Sequence, residues 1–257
     1  MEQVVVCFAA FATALMTFFT GFGLGTILSP VLMLFFPPPL AIALTGVVHF
    51  LNNLYKLLLT GRHARKEIVT GFGIPAVIAA LVGAWLLIRM GDAGTLYSYN
   101  WDGRVREVSL LSFLLGILML TFTVIDLVPL PKRFGESPQH LLIGGLLSGF
   151  FGGLSGHQGA LRSAFLVRTG LSKEQFIGSA VLVSACVDLT RLSIYYSGMK
   201  QSLSQEHIPL LVVASLSAFA GATIGNKLLQ KVTLKFVQAS VTLLLGVIGL
   251  ALLTGLL

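Results

Sequence analysis

Charge is what this chain has least of. Only 11% of its 257 residues are Asp, Glu, Lys or Arg, against about 25% in an average soluble domain. Hydrophobic residues make up 55%, and mean hydropathy is +0.90. These values exclude a water-soluble globular fold. Cysteine is as scarce: Cys7 and Cys186 both sit in apolar runs and read as small buried hydrophobes. No Cys/His/Asp/Glu group has metal-ligand spacing, so neither a metal nor another cofactor is expected. The sequence also lacks a G-x-S-x-G elbow and an H-E-x-x-H pair. Gly21-Phe22-Gly23-Leu24-Gly25 resembles a truncated dinucleotide fingerprint, but no strand precedes it and no acidic residue follows at the ribose spacing. The chain is not read as an enzyme. Its net charge of +7 comes from Lys and Arg between apolar runs, not from a basic stripe with interleaved aromatics, so nucleic acid is not an expected partner.

What the chain has instead is long apolar runs, interrupted by glycine. With no water to satisfy the backbone, such runs must be helices, each pairing its own N–H and C=O groups. A membrane barrel would show short alternating segments. Ten runs are legible, five per half: about 3–20, 23–36, 39–59, 69–90 and 108–128, then about 139–154, 157–168, 174–197, 207–228 and 232–256. The first carries Glu2 and no basic n-region, and reads as a retained membrane segment rather than a cleaved signal. A full crossing needs roughly 20 apolar residues. The first two runs of each half are shorter and meet at glycine-rich turns, which is the pattern of a re-entrant hairpin. Its tip can lie at membrane depth only within protein or a water-filled cavity. Pro129–Pro138 is the expected linker, giving a first repeat over 1–128 and a second over 139–257, packed as one transmembrane domain.

The halves match each other. Gly21–Gly25 corresponds to Ser155-Gly156-His157-Gln158-Gly159, Asn53–Lys56 to Asp188–Arg191, Gly83-Ala84 to Gly221-Ala222, and Leu115-Gly116 to Leu245-Gly246, at an offset of roughly 130–138 residues. Internal duplication with glycine-broken segments marks transporters built from repeats. An odd number of segments per half inverts the second copy. Loops 60–68, 129–140, 168–174 and 227–235 then share one side with ten basic residues (Arg62, Arg65, Lys66, Lys132, Arg133, Arg168, Lys173, Lys227, Lys231, Lys235), against four opposite (Arg89, Arg104, Arg106, Lys200). Four spans per half would split the same residues six against eight. The positive-inside rule favours the inverted reading. Both termini and the 91–107 loop are then extracytoplasmic.

Polar residues inside apolar runs are functional candidates, because burying them in lipid is costly. One group is the hairpin tips. Gly21, Gly23 and Gly25 let backbone turn and approach, with Thr26 and Ser29 on the following arm. Ser155, Gly156, His157, Gln158 and Gly159, then Arg162, form the second tip. Helix N-termini there offer free N–H groups to an anion, and Arg162 adds a fork suited to oxyanions. Close helix packing is the alternative reading of the glycines. The second group is His49, Asn53 and Lys56, one helical face, and its counterpart Ser184, Asp188 and Arg191. His49 can carry a proton or hold an interhelical hydrogen bond. Lys56 can line the site or snorkel to the basic side. Asp188 and Arg191 can be a structural pair.

These motifs together resemble the sulfite exporter TauE/SafE family, also called the 4-toluene sulfonate uptake permease family. The resemblance rests on Gly21–Gly25 followed by Pro30-Val31-Leu32-Met33-Leu34, on Gly149-Phe150-Phe151-Gly152-Gly153 through Gly156, and on Gly221-Ala222-Thr223-Ile224-Gly225. It covers nearly the whole chain. It implies an all-α, polytopic secondary transporter of small anions, often sulfur-containing, in the cell inner membrane. The expected partners are that anion, membrane lipid and a coupling proton or ion, and a homodimer is compatible with this architecture. The departure is Gly156–Ser163, where His157 and Arg162 stand in place of the family's glycine run and proline. An anion channel or a carboxylate carrier are the alternatives, and an accessory subunit a more distant one.

Overall fold

The computed structural model describes residues 2–17, 23–91, 93–127, 138–167, 169–198, 205–228 and 234–257. Gly21, the segment 129–137 and the loop residues Arg168, Lys200 and Lys231 lie outside them. Each expected apolar run is a helix. In the first half these are α1 Glu2–Met16, α2 Leu24–Met33, α3 Pro38–Thr60, α4 Lys66–Ile68, α5 Ile74–Gly91 and α6 Leu110–Leu127. A π turn over Val69–Gly73 joins α4 to α5. In the second half they are α7 Pro138–Ser155, α8 Gln158–Leu166, α9 Lys173–Gly198, α10 Ile208–Leu228 and α11 Leu234–Leu253. Proline starts α3: Pro37 precedes it and Pro38 opens its first turn, where a missing N–H costs nothing. Four stretches are long and apolar enough to cross a membrane: Pro38–His63, Lys66–Gly91, Lys173–Gly198 and Gln205–Lys227. The helices α1 and α2 are shorter and apolar, and α8 has nine residues.

Large apolar side chains are exposed on several helices. Phe8, Ile78, Val82, Trp85, Val212, Leu216, Leu243 and Val247 are exposed on α1, α5, α10 and α11. Such a surface would drive association in water and suits a membrane.

Helix partners are exchanged between the halves. α5 lies along α7, α1 along α10, α6 along α11 and α3 along α9. Glycine makes the closest of these crossings possible. A Cβ at Gly149 would sit 1.9 Å from the Ala76 carbonyl oxygen, and one at Gly83 2.1 Å from that of Phe150. In the other crossing, a Cβ at Gly221 would sit 2.2 Å from the Phe11 carbonyl oxygen, and Ala10, Ala14, Ala218 and Ala222 are fully buried. Small residues at four-residue spacing let backbones meet where lipid supplies no hydrophobic drive.

One element departs from the all-helical expectation. The 91–107 loop holds an antiparallel hairpin, β1 Thr95–Trp101 and β2 Arg104–Ser109. Asp102 and Gly103 turn it with φ of 51° and 70°, the left-handed pair that matches strand twist in a two-residue turn. The Tyr99 hydroxyl donates to the Thr254 carbonyl at 2.6 Å, and the Tyr97 hydroxyl donates to that of Leu253. The hairpin is thereby fastened to the end of α11.

Candidate functional site

Two helix breaks meet inside the bundle. Gly23, at φ 123°, precedes α2. Gly156, at φ 81°, ends the turn after α7, and His157 caps α8. A left-handed φ favours glycine at both positions. A Cβ at Gly25 would lie 3.1 Å from the Gly156 carbonyl oxygen and 3.6 Å from His49 Cδ2. The first tip, the second tip and α3 therefore touch at one place. The His157 ring stacks on Phe122 of α6 with centroids 5.8 Å apart, and its Nδ1 sits 3.0 Å from the Ser155 carbonyl and hydroxyl oxygens.

Around this place lies a buried polar cluster centred on Asp188. Its Oδ2 accepts from His49 Nδ1 at 2.6 Å and from Asn53 Nδ2 at 2.8 Å. A carboxylate only accepts, so Nδ1 carries the proton. The 3.1 Å approach of Asn53 Nδ2 to that Nδ1 is then two donors crowding one oxygen. Asp188 Oδ1 accepts from Gln158 Nε2 at 3.0 Å and from Arg191 Nε at 3.0 Å, with Arg191 Nη2 at 2.9 Å. Arg162 Nη1 donates to Gln158 Oε1 at 3.3 Å and also to the Ser184 hydroxyl. Elements far apart in sequence are thus tied together: α3 from the first half, α8 and α9 from the second.

The charge balance is uneven. Among the described buried residues the permanent charges are Lys56, Arg162 and Arg191 against Asp188 alone. Lys56 is 5% exposed, Arg162 1%, and Asp188 and Arg191 not at all. Lys56 therefore does not snorkel to the protein surface, and it lies within electrostatic reach of Arg162. Several buried polar atoms have no hydrogen-bond partner among the described residues: Ser29 Oγ, Thr45 Oγ1, both amide atoms of Asn52, and His157 Nε2. Buried polar groups are normally satisfied, so these atoms leave hydrogen-bonding capacity unused inside the bundle. The cluster thus carries surplus positive charge in the interior of the bundle.

Of the residues singled out in the sequence, His49, Asn53, Gln158, Arg162, Ser184, Asp188 and Arg191 form one connected cluster. Gly25 and Gly156 form its backbone floor, and a Cβ at Gly156 would be 3.0 Å from Arg191 Nη1. Thr26 and Ser29 are buried on α2 and Gly159 on α8, beside the cluster rather than within it. Ser155 bonds back to the Phe151 carbonyl and stays within the turn. Three neighbours are additions. Thr45 lies one turn before His49. Tyr195 follows Arg191 by one turn, its hydroxyl donating to the Gly153 carbonyl and its ring 6.0 Å below the Arg191 guanidinium. Ser148 donates to the Gln158 carbonyl at 2.9 Å. Helical spacing from a named candidate is the available signal for the first two; none points to Ser148.

Apolar spanning helices around a buried polar centre define a multi-pass membrane protein of the transporter type. The chain belongs to the sulfite exporter TauE/SafE family, whose model matches residues 6–252. That family consists of membrane transporters of sulfite and related sulfur anions. Searches of curated proteins and of solved structures gave no match.

Proposed function

We propose that this protein is a secondary carrier of a small oxyanion, sulfite or an organosulfonate, across the cytoplasmic membrane. The observation that carries this reading is the buried excess of Lys56, Arg162 and Arg191 over Asp188, with Arg162 and Arg191 beside the residues of the second tip. Sulfite and sulfonate groups carry three oxygens that suit guanidinium forks and amide donors. The two halves are read as inverted repeats with the site near the midplane. The exchanged partners α1 with α10 and α5 with α7 support that symmetry, because corresponding helices take corresponding places. In this reading the termini and the β-hairpin are extracytoplasmic and loop 60–68 is cytoplasmic.

The test is a melting series on purified protein with sulfite, thiosulfate, methanesulfonate and acetate, followed by counterflow in proteoliposomes. A ligand that binds the folded state at a hundred times its Kd stabilises it by about 2.7 kcal/mol. Stabilisation by a sulfur oxyanion together with saturable counterflow is expected. Stabilisation by acetate alone would move the assignment to carboxylates. Single-channel currents in place of counterflow would make the protein a channel.

A further inference from the structure

We infer that anion transport is coupled to a proton, with Asp188 serving as a tethered anion that holds the substrate's donors until it and His49 take up that proton. The inference rests on the carrier reading above and adds the coupling ion.

The geometry of Asp188 is that of a bound ligand. Its two oxygens are held by His49 and Asn53 from α3, Gln158 from α8 and Arg191 from α9. A small oxyanion arriving at the tips would seek this donor set. An ionised carboxylate already occupies Gln158 Nε2 and Arg191 Nε, so an oxyanion at the same groups would share them with Asp188 and bond the remaining N–H donors beside its charge. Two anions sharing those donors would also repel one another. Neutralising Asp188 relieves both the sharing and the repulsion.

The interior leaves few candidates for that step. Asp188 is the only buried acidic residue among those described. The groups within electrostatic reach of it are His49 on α3, Arg162 on α8, and Arg191, Tyr195 and Cys186 on α9; Lys56 of α3 lies near Arg162 and His157 near Arg191. The guanidinium groups of Arg162 and Arg191 do not release protons in a working protein. His49 is the one base in direct contact, at 2.6 Å. The pair holds one proton when His49 is neutral and Asp188 ionised, and two after uptake. The second proton comes from the aqueous side and adds one positive charge to the cluster. Asp188 or the His49–Asp188 pair is then neutral, its hold on Arg191 and Gln158 weakens, and those donors turn to the incoming anion. One monoanion restores the original charge. Loss of the anion on the other side restores the carboxylate's claim on the donors, and the proton leaves with it. Proton and anion therefore cross together, one for one.

The contact also spans the halves. His49 and Asp188 are 139 residues apart and lie on α3 and α9. A change in their bond is felt at the contact of α3 with α9.

The experiment uses wild-type protein in proteoliposomes containing a pH dye, with membrane potential clamped. Labelled methanesulfonate and thiosulfate are the probes, since neither binds a proton near neutral pH and any acidification must cross through the protein. An inward gradient of one pH unit should sustain up to about tenfold accumulation of the transported monoanion with matching internal acidification. Asp188→Asn should abolish the dependence on the gradient, measured as the ratio of its own uptake with and without it. Wild-type probe flux that ignores the gradient and moves no protons overturns the coupling while leaving the carrier intact. Probe flux absent from wild type, with labelled sulfite also unmoved, overturns the carrier reading and the coupling with it. Should Asp188→Asn not fold, His49→Gln takes its place, and a gradient ratio unchanged from wild type in that variant counts against the inference.

Discussion

At the residue scale, the proposed site turns on its buried cations. Arg162 reaches both Gln158 and Ser184 from a helix that begins at a glycine turn. Arg162→Lys keeps the charge and loses the planar fork. We expect it to weaken the bound sulfur anion by about 1.5–3 kcal/mol, roughly ten- to a hundred-fold, read as lost ligand-induced stabilisation in a melting series. Equal stabilisation of the folded variant and wild type would remove Arg162 from the site. This residue was legible in the sequence, because an Arg beyond a glycine tip in an apolar run is too costly to bury without a polar partner or solute. So was the pairing of the two polar quartets. That Asn53 and Asp188 actually touch was not legible. Equivalent positions in a duplicated chain can face one another or face apart, and only the crossing of α3 with α9 settles which. Thr45 and Ser148 stayed hidden for another reason: a hydroxyl in an apolar helix ordinarily bonds its own backbone.

At the element scale, the helices announced themselves by continuous hydropathy, and their glycines by position. Asp102-Gly103 between alternating residues is a strong hairpin signal, yet Thr95–Trp101 reads as loop, because it is a polar stretch between membrane helices. Its aromatics turn out to fasten α11 through Tyr97 and Tyr99. The glycines have two separable jobs. Gly156 is bound by conformation, with φ 81° and Arg191 close by. Gly156→Ala should cost about 1–2 kcal/mol from the left-handed backbone alone and shift Arg191, so ligand stabilisation should fall as well as melting temperature. Gly149 is bound by contact only. Gly149→Leu would force α7 off α5 and destabilise by about 1–3 kcal/mol or more, with ligand response retained in whatever protein folds. Identical behaviour of the two variants would mean that the turn and the crossing are not separable in this way.

At the scale of the whole molecule, the exchange of helices changes which parts can move. The tight crossings join α7 to α5 and α1 to α10, so neither sequence half is a mechanical unit by itself. One unit is expected to hold α1, α2, α3 and α10, and the other α4, α5, α7, α8 and α9, with α3 sliding on α9 between them. Orientation can be checked directly: single cysteines in loop 60–68 should be shielded from an impermeant reagent applied outside cells, and cysteines at the β-hairpin turn should react. Movement can be checked with disulfides in a background lacking Cys7 and Cys186. Within one unit, a Cβ at Gly73 would lie 3.1 Å from Val183 Cγ2, and between units a Cβ at Gly46 would lie 3.1 Å from Leu192 Cδ2. These contacts put each pair of positions within side-chain reach of one another, which makes them candidates for an engineered disulfide. Oxidising a Gly73→Cys, Val183→Cys protein should leave counterflow near its reduced level. Oxidising a Gly46→Cys, Leu192→Cys protein should stop it, and reduction should restore it. Each protein is compared with itself, oxidised against reduced, so damage from the substitutions cancels. If the first bridge stops transport and the second does not, α9 moves against α5 rather than against α3. α3 and α9 would then belong to one moving body, and the His49–Asp188 contact would lie inside a rigid part instead of at the sliding face.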